Sequence, residues 1–151
     1  MISARLVQVI EEHAEKITDR VVREHRQDSR LTHLVHLPES EIRHRCGEIL
    51  QRLGHWLAES SEEEITRHFE SIGRLRAREG VPLEEVVHAL QVLKARMLDH
   101  IRDQGMGLTT VELYAEEELE HQTGVFFDNA VYHLIRGYQH STGQAEYARA
   151  S

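Results

Sequence analysis

Apolar residues recur every three to four positions along this chain, with polar residues between them, a spacing that predicts helices. Five segments carry the pattern. The first, about 3–27, aligns Leu6, Ile10, Ala14, Ile17 and Val21 on one stripe. The second, about 39–59, aligns Ile42, Cys46, Ile49, Leu53 and Trp56. The third, about 62–79, buries Ile65, Phe69, Ile72 and Leu75, and Ser61 with Glu64 has the spacing of a capping box at its start. The fourth, about 82–104, buries Val86, Leu90, Leu93, Met97 and Ile101. The fifth, about 109–140, would reach roughly 48 Å at ~1.5 Å per residue. No alternating β-branched run competes with these helices, so the expected fold class is all-α.

The third and fourth helices are separated by little more than Gly80-Val81. Glycine just past a helix end accepts a left-handed backbone. Pro82 suits a first helical position, where its missing N–H has no intrahelical partner to lose. The fifth helix is acidic in its first half and apolar on more than one side in its second. Phe127, Ala130, Val131, Leu134 and Tyr138 form one stripe, whereas Phe126, Tyr132 and Ile135 fall outside it. An apolar surface on two sides needs two covers. The expectation is a homodimer, with Phe126, Tyr132 and Ile135 at its interface. The pattern stops after His140, which divides the chain into a helical domain, 1–140, and a tail or linker, 141–151.

Composition narrows the function classes. A chain of 151 residues suits one core. No apolar run approaches the roughly 20 residues that span a bilayer. Glu11 and Glu12 interrupt any secretory pattern, and Cys46, the only cysteine, cannot form an internal disulfide, so a cytoplasmic location is expected. The net charge is −8, and residues 105–151 hold seven acids against two arginines. Arg74, Arg76 and Arg78 are too few to offer a field for phosphates, so nucleic acid is not an expected partner.

Twelve histidines call for a test as metal or haem ligands. Three Glu-x-x-His words, Glu41–His44, Glu85–His88 and Glu118–His121, have the spacing of di-iron bundles. Their histidines point away from the apolar stripes, so no metal site is expected. His68 lies within the apolar face of the third helix, while His13 and His25 follow the stripe edge of the first. A buried histidine bonded to the backbone is the commoner role for His68; ligation of haem iron is the alternative. No phosphate loop, nucleophile elbow or facing carboxylate pair is present, and Cys46 lies on a buried stripe, so no enzyme is expected.

Two segments give a more specific lead. Gly73-Arg74-Leu75-Arg76-Ala77-Arg78-Glu79-Gly80-Val81-Pro82-Leu83-Glu84-Glu85-Val86 and Phe126-Phe127-Asp128-Asn129-Ala130-Val131-Tyr132-His133-Leu134-Ile135-Arg136-Gly137-Tyr138 together resemble the N-terminal sensor domain of the RsbR and RsbRD co-antagonist type. Such domains occur on stressosome proteins and some bacterial histidine kinases. The resemblance implies a globin-like bundle, here of five helices with a long C-terminal one, that works as a dimer without haem. It implies signal input to a C-terminal effector domain or a signalling partner, and it supplies no catalytic residues. The chain ends at Ser151 without an effector, so an excised input domain and one acting by association are both expected forms. Signal would enter a pocket beneath Trp56, His68, Phe69 and Ile72 and leave along the fifth helix. The alternative is a haem- or metal-binding sensor built on a buried histidine.

Overall fold

The computed structural model describes residues 4–104 and 109–150, with side chains for all of these except 144–149. Six α-helices follow one another: α1 (Ala4–Glu12), α2 (Ala14–Gln27), α3 (Glu39–Leu50), α4 (Glu62–Arg78), α5 (Leu83–Gln104) and α6 (Thr110–Ala150). A 3₁₀ turn, Leu34–His36, precedes α3, and a π-helical turn, His55–Glu59, follows it. No strand occurs among the described residues. The third to fifth expected helices correspond to α4, α5 and α6; the first two expected helices differ.

The first divides at His13, whose backbone (φ −96°, ψ 15°) leaves the helical region. Hydrogen bonds still run across the break, from His13 N to Val9 O and from Ile17 N to His13 O. The result is a kink, and His13 Nδ1 lies 2.8 Å from His100 Nε2 on α5, which ties the bend to the bundle. The second ends early. Beyond Leu50 the backbone widens until Ser60 N bonds His55 O, five residues back. Trp56 is buried in that wide turn, and its indole donates to Glu48 O at 2.8 Å. Burial of the indole ring therefore leaves no orphaned N–H.

The junction after α4 forms as the glycine requires. Gly80 has φ +75° and bonds Ala77 O through its N–H, while Val81 N bonds Arg76 O. This pair of bonds is the Schellman arrangement. Ser61 Oγ accepts from Glu64 N at the other end of α4. Helix α6 continues past His140 to Ala150, so the segment expected as a tail is helical.

Helices α4 and α6 meet most closely of all. A Cβ on Gly73 would overlap the Leu134 carbonyl oxygen, and one on Gly137 would overlap the Glu70 backbone. Each glycine thus lets the other helix's backbone approach. Next to this crossing, Tyr138 Oη donates to Val81 O at 2.7 Å. The two segments that carry the family resemblance are therefore a single junction in space. One core runs through all six helices, from Ile10, Ile17 and Val21 to Met97, Ile101 and Phe127.

Candidate functional site

Phe69, at the middle of α4, is buried and stands between two neighbourhoods. On one side is an aromatic cluster. Trp56 lies 5.8 Å from Phe126 and 6.0 Å from Phe69 between ring centroids, and Phe126 lies 5.3 Å from Phe127. His68 joins this cluster with its ring 5.0 Å from Trp56. On the other side is a half-open cavity of about 80 Å³ lined by residues of α2, the 3₁₀ turn and α3 to α6. Phe69 and Ile72 line it together with Ile42, Ile49, Leu90 and Leu134. Of the four expected pocket residues, then, Phe69 and Ile72 face the cavity, and Trp56 and His68 lie outside it.

Four polar side chains also line the cavity: His25, Arg45, Cys46 and Arg76. None of these was expected there. Arg76 is 3 % exposed, held by Glu79 at 2.8 Å and by Glu41 at 3.2 Å. Arg45 binds Glu41 at 2.9 Å and Glu48 at 3.2 Å. Glu41 thus joins both guanidiniums, and neither brings an unneutralised charge to the cavity. Burial pushes the Cys46 thiol up to about 12, which makes it a thiol and not a reactive thiolate. His25 is buried, and its Nε2 has no hydrogen-bond partner. Burial holds its imidazole below the ordinary value, neighbouring His88 adds to the lowering, and Asp28 opposes it. His25 is therefore a neutral ring with one unmet polar atom.

The edge of the cavity is fastened by Glu85, a member of the second Glu-x-x-His word. Its carboxylate is buried and accepts from His33 N at 2.9 Å, Leu34 N at 3.3 Å and His33 Nδ1 at 3.0 Å. Leu34, on the turn so held, lines the cavity. His88 is pinned to Asp28 at 2.6 Å and is not free on the surface. His44 and His121 do face solvent.

His68 does not bond the backbone. It is half-buried, with Nε2 3.4 Å from Glu48 Oε2, and burial holds its imidazole below the ordinary value. It does not line the cavity beside Phe69. Among the described residues, no group of three or more His, Cys, Asp or Glu side chains could hold a metal ion.

Of the three expected interface residues, Phe126 is 4 % exposed and covered within its own chain by Trp56, Phe69 and Phe127. Tyr132 is exposed and Ile135 is half-exposed. The outer surface of α6 carries Val111, Tyr114, Val125 and Tyr132, all exposed. No described helix is long and apolar enough to cross a membrane.

Comparison with known proteins gives no match among the curated proteins and none among the solved structures. The family model described as the RsbT co-antagonist protein rsbRD N-terminal domain matches residues 15–150, which include every cavity-lining residue and both halves of the Gly73–Gly137 crossing. The chain belongs to that family of regulatory co-antagonist domains.

Proposed function

We propose that this protein is a non-catalytic signal-input domain of the stressosome type, acting in the cytoplasm as a homodimer. It pairs through the outer face of α6 and passes its signal along that helix to an effector domain or a signalling partner. The observation that carries the reading is the exposed apolar series on α6. Val111, Val125 and Tyr132 are spaced by multiples of seven, and so are Tyr114 and Ile135, with Glu118, His121 and Asp128 at the intervening positions. A seven-residue repeat keeps one seam of a helix facing a partner helix. Leaving such side chains in water has no purpose in a helix whose opposite face is already covered by α4 and α5. The family resemblance supports the dimer and the globin-like arrangement, and α6 spans about 60 Å at ~1.5 Å per residue. A helix of that length links the packed bundle to whatever lies at its far end.

Light scattering after size exclusion tests the pairing. The expected result is a dimer at micromolar concentration. Val125→Glu with Tyr132→Glu should convert it to a monomer with unchanged helical circular dichroism, because both side chains lie outside the core. A wild-type monomer at high micromolar concentration would reject the dimer.

A further inference from the structure

The bend at His13 brings two imidazoles edge to edge. His13 Nδ1 lies 2.8 Å from His100 Nε2, with the ring planes at 87°. One hydrogen between those nitrogens makes the bond, since one ring donates and the other accepts. The bond survives a first added proton, because the ring that stays neutral still accepts. It does not survive a second. Each facing nitrogen then carries a hydrogen, neither accepts, and two positive rings meet at hydrogen-bond distance.

The pair sits where little else holds α1. The backbone of His13 leaves the helical region, so α1 joins α2 through a bend. Helix α1 has nine residues, of which Val7 and Ile10 are buried, and Glu11 Oε2 accepts from Gly54 N at 3.3 Å. Helices shorter than about 12–15 residues are marginal in water, so α1 depends on its packing against α5 and α6. We infer that α1 is an acid-released arm: a second proton on the His13–His100 pair opens the bend and frees α1 from α5 and α6.

The surrounding charges set the direction. His100 is buried, and burial holds its imidazole below the ordinary value. His13, Arg20 and Lys16 add to the lowering, and Asp103 opposes it. On the surrounding helices Asp99 is paired with Arg96 and Arg20, Glu120 with Arg102, and Glu12 with Gln8. In the open form His100 meets water and titrates near 6.5. The open form therefore takes up the proton first. Packing of α1 is strongest above about pH 6.5 and weakens as pH falls toward the lower closed-form value. The arm needs neither a ligand nor a second copy, and both α1 and His13 precede the residues matched by the family model.

Hydrogen exchange at the amides of Ile10 to His13, corrected for the intrinsic effect of pH on exchange, tests the arm. These amides should be less protected than those of α5. Their protection should fall below pH 6.5 by up to about tenfold per pH unit, the effect of one linked proton. His13→Gln and His100→Gln keep a hydrogen-bonding side chain but leave only one ring to charge, and each should remove most of the fall. His13 is half-buried, so His13→Gln keeps the test open if His100→Gln fails to fold. Amides of α1 that exchange only together with those of α5 would overturn the arm. A fall that persists unchanged in both variants would do the same. Neither result bears on the light-scattering test of the α6 pairing.

Discussion

Glycines within helices have opposite roles at different positions in this protein. Gly73 and Gly137 sit where a Cβ would overlap backbone of the opposing helix, and backbone cannot rotate aside as a side chain can. Gly124 has nothing within 4 Å of the position its Cβ would take. Gly73→Ala should therefore destabilise the protein by about 2–4 kcal/mol, since it forces α4 and α6 apart. Gly124→Ala should stabilise it by about 0.5–1 kcal/mol, because alanine loses less backbone freedom in a helix. Urea unfolding of the two variants reads the difference directly. Equal effects would show that the crossing tolerates a wider separation. The positive φ of Gly80 was legible from sequence, because the helix patterns on either side left no residues for a longer link. The close approach at Gly73 and Gly137 was not, because no periodicity marks a position that is excluded by a neighbour distant in the chain.

Among elements, the two helices with a cap or a glycine-proline junction at their ends were readable. The start of α6 was readable but its end was not, and the two elements that depart from regularity were not. The Ser61–Glu64 cap and the glycine-proline junction are local, so local residues fix them. The kink at His13 is held by His100, which is remote in sequence. The wide turn at Trp56 is tied by a tertiary indole bond to Glu48 O. Phe126 was misplaced for a related reason. An apolar residue outside the main stripe of α6 can face either a second subunit or a neighbour in the same chain, and Trp56, brought inward by the wide turn, supplies the neighbour. The turn before α3 depends on an element far from it as well. Glu85→Ala removes the acceptor of the His33 and Leu34 amides, leaving the Leu34 donor buried and the His33 donor part-buried. The expected cost is about 1–3 kcal/mol, with Glu85→Gln retaining part of it. Hydrogen exchange at those two amides should quicken before exchange in α5 does. If exchange there is unchanged, the turn is held by packing alone.

At the scale of the whole molecule, twelve histidines in a chain of net charge −8 make proton uptake the natural probe of packing. Burial holds His25, His68 and His100 below the ordinary imidazole value. Around His25, His88 reinforces the lowering and Asp28 opposes it; around His68, Glu48 opposes it and Arg45 reinforces it. His13, Arg20 and Lys16 reinforce it at His100, against Asp103. In the unfolded chain these rings titrate near 6.5, so the unfolded state takes up protons first as pH falls. Stability is therefore greatest above about pH 6.5 and declines from there toward the lower folded values. Three carboxylates extend the decline under more acidic conditions, and hydrogen bonds from Arg30 hold one of them, Asp28, well below its usual range. Hydrogen bonds from Asn129 and His133 hold Glu62 below its usual range, and at Glu41 burial pushes upward but Arg45 and Arg76 outweigh it. Their contribution is present above about pH 4.5 and is lost as pH falls through their folded values. Urea midpoints should then fall between pH 7.5 and 5.5, a window the carboxylates do not reach. His25→Leu should flatten part of that fall, because one of the three buried rings is gone. A midpoint that stays level across the window, or one that rises as the negative surface is neutralised, would mean that relief of net charge outweighs burial of the three imidazoles.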